Sequence, residues 1–317
     1  MSTVAFSSER FSLRVLSRAL RLPFTAASVL PYIAGAFAAE SAFRAYVFLL
    51  GLVTVAATHL SANLINDWAD TASGADWQDT TYYDGFFGGS KLIQEGRLSS
   101  TFYVGFAILL AAAAILCVLL ISIVVTPAVF PAYVLVLALA WAYSSPPLQL
   151  AYRRLGEFII FLLFGPASVI AGFYLQTGRL WSADALFLAL PFGFLTTAIL
   201  VANEVPDFHD DAAAGKRNLV SLSGHANAYI LYAFLLGAGL VSLVLGILYG
   251  PLTSWSLLAL LSIVPGGMAT VVLRSHYENK QKLLMASKAS IAAQFIIGVV
   301  LVVDCYVHKA PVLNTLG

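Results

Sequence analysis

Charge is what this sequence lacks. Of its 317 residues only 10% are Asp, Glu, Lys or Arg, against roughly a quarter in an ordinary soluble domain. So few ions cannot cover a surface in water. With 60% hydrophobic residues and a mean hydropathy of +0.87, the chain is expected to be an integral membrane protein immersed in the lipid bilayer. A net charge of +1 and the lack of a basic arm exclude nucleic acid as a partner. The two cysteines, Cys117 and Cys305, sit in apolar runs and leave no disulfide framework or zinc site, so both are expected to be buried structural thiols. A small-residue cleavage pattern is also missing after the arginine-rich start, so the first apolar run is expected to be a retained helix.

Long apolar runs are what is there. A bilayer crossing needs roughly 20 apolar residues, and nine runs qualify at about 22–39, 45–66, 102–125, 128–144, 157–176, 185–204, 228–249, 252–272 and 288–307. The expected fold is an all-α polytopic membrane protein with nine transmembrane helices around a central cavity. A basic cytoplasmic N-terminal segment, 1–21, precedes a membrane domain over 22–317. That domain divides into two four-helix halves, about 22–144 and 157–272, and a ninth helix at about 288–307.

With the N-terminus in the cytoplasm, the inner segments hold Arg10, Arg14, Arg18, Arg21, Lys91, Arg97, Arg153, Arg154, Lys216, Arg217, Arg274, Lys280, Lys282 and Lys288. The outer ones hold Arg44, Arg179 and Lys309, an asymmetry that fixes the orientation. Apart from Glu40, Asp184 and Asp304, the acids fall on the same inner side, which the topology rule does not demand.

Those acids form two clusters. Asn66, Asp67 and Asp70 at the end of the second run match Asn203, Glu204 and Asp207 at the end of the sixth, all at an offset of 137 residues. Helical spacing places Asn66 beside Asp70 and stacks Asn203, Asp207 and Asp211 in one line. Asp67, Glu204 and Asp210 point elsewhere, toward helix-end solvation or the orientation of ligands. Facing oxygen clusters without sulfur or an imidazole pair suit Mg²⁺, which binds through a few carboxylates plus substrate phosphate. Lys91, Arg97, Lys216 and Arg217 would then meet the anionic oxygens of a diphosphate. Asp79, Asp84 and Glu95 read as loop solvation, His209 as a helix-end polar residue, and His59 as facing the bundle or a cavity. A transporter with an acidic vestibule is the rival reading, but the helix centres carry almost no charge, Asp304 excepted.

Four features together resemble the UbiA superfamily of intramembrane prenyltransferases. They are Asn66-Asp-x-x-Asp70 with Gly74-x-Asp76; Gly88-Gly-Ser90 with Glu95-Gly96; Tyr143-Ser-Ser-Pro-Pro-Leu148 with Leu155-Gly-Glu157; and Asn203-Glu-x-x-Asp207-x-x-x-Asp211 with Gly215-Lys216. The spacing is most similar to the 1,4-dihydroxy-2-naphthoate branch of menaquinone synthesis. The 4-hydroxybenzoate branch has a basic residue four after the Tyr, where this chain has Pro147, with Arg153 and Arg154 the nearest cations.

The resemblance implies that Asn66, Asp70, Asp207 and Asp211 hold two Mg²⁺ ions on the diphosphate of a polyprenyl donor, with Asn203 in support. Lys91, Arg97 and Lys216 become diphosphate contacts. Tyr143 is the first candidate to face the allylic cation with its ring, ahead of Phe173 and Tyr174. The acceptor implied is aromatic, with 4-hydroxybenzoate, homogentisate, haem and glyceryl phosphate as the superfamily's other choices.

Overall fold

The computed structural model describes residues 12–39 and 43–308, so Arg10, Glu40 and Lys309 lie outside the described residues. Among the described residues there is no strand, only an isolated bridge between Tyr83 and Phe87. In an apolar solvent each backbone N–H and C=O must be paired within its own segment, and the helix does this.

Helix α1 (Leu13–Leu20) is capped by Ser12 and ends at Arg21, whose φ of 52° is left-handed. A 3₁₀ turn over Leu22–Thr25 leads into α2 (Ala26–Phe37). Next come α3 (Ala45–Ser73), the short α4 (Ala75–Gln78), α5 (Ser100–Val124) and α6 (Val129–Ala142). A single span, Gly156–Thr177, is built from α7 (Gly156–Leu162), one π turn over Leu163–Ala167 containing Pro166, and α8 (Ser168–Thr177). The chain continues through α9 (Ala183–Glu204), α10 (Phe208–Ala213), α11 (Leu219–Ser223) and α12 (Ala228–Tyr249). A 3₁₀ stretch over Ser254–Ser262 precedes α13 (Ile263–His276), and α14 (Lys280–His308) closes the order.

All nine apolar runs are largely helical, but among the described residues seven helices are long and apolar enough to cross a membrane, or eight if the bent first pair is one span. The first run joins α1 across a 48° bend and so is no simple rod. The fourth is shortened to Val129–Ala142 between Pro127 and the Pro146-Pro147 pair. Its fourteen residues give about 21 Å of helix, short of the roughly 30 Å hydrocarbon core. The ninth helix begins at Lys280 rather than near 288, adding about two turns that carry Lys280 and Lys282. Cys305 is buried as expected, whereas Cys117 is only half-buried.

The most extensive helix pairings are α3 with α5, α9 with α12, and α2 with α8. The last depends on glycine. A Cβ on Gly35 would lie 2.0 Å from the Val169 carbonyl oxygen, and one on Gly172 would lie 2.1 Å from that of Tyr32. Small residues let backbones approach where lipid provides no hydrophobic drive between helices. Helix α14 packs on α2, α9 and α13. Its buried Asp304 is satisfied by Thr253 N–H at 2.9 Å, Thr253 Oγ1 at 2.5 Å and Ser256 Oγ at 2.6 Å, so it anchors the 3₁₀ stretch.

The α2–α8 contact has no room for a side chain. Gly172→Leu is expected to lower the thermal midpoint of the purified protein in detergent, since overpacking typically costs about 1–3 kcal/mol. An unchanged midpoint would show that the two helices part freely.

Candidate active site

A cavity of about 500 Å³ runs into the bundle, polar at one end and apolar along most of its wall. The polar end is formed by the last turns of α3, the 74–91 loop, the α9–α10 junction and the start of α14. Asn66, Asp70, Lys91, Asn203, Asp207, Asp211, Lys216 and Tyr143 all line it; Arg97 is not among the lining residues. Of the other aromatic candidates, Tyr174 lines the cavity, while Phe173 is buried in a separate core cluster.

The first cluster rides on continuous helix, because α3 runs to Ser73 before Gly74 ends it with a φ of 91°. Asn66 Nδ2 donates to Asp70 Oδ2 at 3.0 Å and to Ser144 Oγ at 2.8 Å, and Tyr152 Oη donates to Asp70 Oδ1 at 2.9 Å. Asp67 is buried and accepts from Ser90 N–H at 3.1 Å, so it orients the loop and is not helix-end solvation.

The second cluster is not one helical line. Pro206 has no N–H and clashes with a preceding turn, so α9 stops at Glu204 and α10 restarts at Phe208. Asp207 falls at the break with φ −89° and ψ 2°. There its Oδ2 accepts the Gly88 N–H at 2.8 Å, a direct bond between the two halves of the sequence. Gly89, at φ 74°, is required: a Cβ there would lie 2.9 Å from Asp76 Oδ2.

Each cation at this mouth is held by acids. Lys91 Nζ donates to the Asp76 carbonyl at 2.9 Å and to its Oδ1 at 3.0 Å. Lys216 Nζ lies 3.3 Å from Asp211 Oδ1. Lys280 joins Asp79 at 2.8 Å and Asp210 at 2.5 Å, so Asp79 belongs to the cavity wall and not to loop solvation, and Asp210 lines the same wall. Arg21 donates to Asn66 Oδ1 at 3.3 Å and stands 3.8 Å from Asp67. Arg153 turns away to the Pro147 carbonyl, so Lys216 is the cation nearer Tyr143 and lies 5.8 Å from the Tyr152 ring centre.

Sequence spacing alone does not reveal Arg21 or Lys280. The signal available was that both sit at the inner end of an apolar run, where a count for topology already explains a positive charge.

Burial pushes the Asp211 carboxyl up to about 7, with Asp207 and Asp70 adding repulsion and Lys216 opposing it. Burial and the nearby Asp70 carry Asp76 up to about 8 despite Lys91. Burial also raises Asp207, against the Gly88 hydrogen bond. Among the described residues no three His, Cys, Asp or Glu side chains form a metal cage on their own. The donors fit Mg²⁺ nonetheless: all are oxygens, Asn203 Oδ1 is buried without a partner, and Mg²⁺ takes only one or two carboxylates when phosphate supplies the rest.

The UbiA prenyltransferase family model matches residues 28–296. The chain belongs to that family. It is therefore a transferase, an integral multi-pass membrane enzyme. It is 28% identical to the UbiA prenyltransferase domain-containing protein 1 homolog of Drosophila melanogaster over 92% of this chain and 80% of that one. It is 30% identical to the 1,4-dihydroxy-2-naphthoate octaprenyltransferase of Escherichia coli, over 69% of this chain and 71% of the relative. A UbiA homolog from Archaeoglobus fulgidus, solved bound to GPP and Mg²⁺, shares the fold with a TM-score of 0.60. The identity is 16%, covering 91% of this chain and 99% of that one.

Raised carboxyls mean that the folded prenyltransferase holds more protons than the unfolded chain between about pH 4 and 8, so stability falls as pH rises through that window. A cation that relieves the repulsion should therefore stabilise more at high pH. Thermal scans are expected to show a larger gain from Mg²⁺ at pH 8 than at pH 6, with Asp211→Asn flattening the difference. A gain independent of pH would contradict the charge balance described.

Proposed function

We propose that this family member transfers a polyprenyl chain from an allylic polyprenyl diphosphate to 1,4-dihydroxy-2-naphthoate, in the presence of Mg²⁺, as a step toward menaquinone. The observation that carries this reading is that one cavity has both acid clusters at its mouth and an apolar interior. Similarity to the 1,4-dihydroxy-2-naphthoate octaprenyltransferase of Escherichia coli and the spacing of the four motifs support the acceptor.

Asn66, Asp70, Asp207 and Asp211 would hold two Mg²⁺ ions, with Asn203 in support. Bound there, the metal would neutralise charge building on the diphosphate as the allylic C–O bond breaks. Lys91 and Lys216 would exchange part of their carboxylate contact for phosphate oxygens, which match an ammonium as well as a carboxylate does. Arg21 and Lys280 line the same mouth and join them as diphosphate contacts, in the place expected of Arg97.

The electron pair leaves with the diphosphate, and the allylic carbon becomes cationic. Tyr143 lines the cavity, and the quadrupole of its aromatic ring favours a cation. The apolar wall below it, including Val118, Ile121 and Val136, accommodates the tail and excludes the water that would quench the cation.

In the membrane, α1 with α2 and the short α6 would complete a nine-crossing bundle with the N-terminus and the mouth on the cytoplasmic side. The halves at about 22–144 and 157–272 would be joined by the ninth helix.

Asp70→Ala, Asp207→Ala and Asp211→Ala are each expected to reduce transfer by at least about a hundredfold in folded, purified protein. The assay supplies geranylgeranyl diphosphate, Mg²⁺ and one aromatic acceptor at a time, with product identified by mass. Full activity in any of the three, or activity unaffected by a chelator, would refute the metal assignment. Preference for another acceptor would reassign the substrate alone.

A further inference from the structure

The cavity contains a second pair of residues at the repeat offset. His59 stands seven positions before Asn66 and Thr196 seven before Asn203, so they are separated by the same 137 residues as the acid clusters. Seven residues are about two helical turns. That places His59 and Thr196 on the faces of α3 and α9 that carry the two asparagines, about 10 Å deeper along each helix. Both line the cavity, and they are only 8% and 5% exposed.

Neither has a partner. Both ring nitrogens of His59 and Oγ1 of Thr196 are buried without a hydrogen bond. The other helical threonines nearby do not share this condition. Thr54, Thr58 and Thr197 each return the hydroxyl to the carbonyl four residues back, as threonines in apolar helices generally do. Tyr32 and Ser168, also on the wall, bond the Phe48 and Leu163 carbonyls. A buried polar group without a partner is costly, so two of them at matched positions on the cavity wall point to a ligand that pairs with both.

We propose that His59 and Thr196 bind the oxygens of the aromatic acceptor and so set which ring carbon lies beneath the leaving diphosphate. This rests on the prenyl-transfer reading. The diphosphate belongs at the mouth, and the hydrocarbon tail has nothing to offer a polar group; of the three parts of the reaction only a hydroxylated ring fits this depth. A neutral imidazole offers one N–H and one bare nitrogen, and a threonine hydroxyl both donates and accepts. Together they suit a ring with an oxygen on each of two edges. Phe164, on the π turn, meets the His59 ring edge-on, with centroids 5.4 Å apart and planes at 87°, which fixes the imidazole plane.

The test is steady-state kinetics on wild type, His59→Ala, His59→Gln, Thr196→Val and Thr196→Ser. Each is assayed with 1,4-dihydroxy-2-naphthoate varied at saturating geranylgeranyl diphosphate and Mg²⁺, and then with the donor varied. Expected is a loss of about tenfold or more in acceptor kcat/KM for His59→Ala and Thr196→Val, with donor KM within about twofold of wild type. His59→Gln and Thr196→Ser should recover most of it.

Acceptor kcat/KM within about twofold of wild type in both deletion variants would overturn the proposal, leaving bound water as the partner. So would a parallel loss of donor and acceptor parameters, the mark of a structural role. Wild type that binds the donor with Mg²⁺ but prenylates no aromatic acceptor would overturn the functional reading and this proposal together. Active wild type with indifferent variants overturns this proposal alone.

Discussion

Carboxylates that are buried together repel one another and lose their hydration, at an effective cost of several kcal/mol per ion. The polar end of this cavity is organised around that cost. Lys91 holds Asp76, Lys216 holds Asp211, Lys280 bridges Asp79 and Asp210, and Arg21 faces Asp67. The backbone adds its own dipoles: Gly88 and Ser90 aim N–H groups at Asp207 and Asp67. The balance is incomplete, since Asp76, Asp207 and Asp211 remain raised by burial. A site in this state has spare affinity for positive charge, and its lysines stand ready to meet an anion delivered with that charge.

The duplicated spacing gives two walls of different build. On the first, α3 continues unbroken past Asn66 and Asp70, so those side chains are fixed by helical geometry. On the second, Pro206 breaks the helix between Asn203 and Asp207, and Asp207 reaches the Gly88 loop because of that break. An unbroken wall and a broken one meet through a glycine turn, where Gly89 holds φ 74° and a Cβ would press on the Asp76 carboxylate. The same offset carries down to His59 and Thr196, so the repeat organises the cavity over its depth as well as its rim.

Much of this was legible in the residues. Apolar runs placed the helices, because lipid permits little else, and the paired Asn-acid motifs placed Asn66, Asp70, Asn203, Asp207 and Asp211 on one cavity with Lys91, Lys216 and Tyr143. The span count was less legible, because hydropathy does not register the bend at Arg21 or the prolines that shorten α6 to Val129–Ala142. Arg97, expected as a diphosphate contact, does not line the cavity, whereas Lys280 does so from more than two hundred residues beyond Asp79.

The sequence by itself determined the solvent, the helices and the two acid clusters, because hydropathy and local spacing act over one or two turns of chain. Only the tertiary structure decided which cation meets which acid, that Pro206 turns Asp207 toward Gly88, and that His59 and Thr196 are left without partners. Those outcomes depend on distances through space between segments far apart in the chain, and no local pattern encodes such distances.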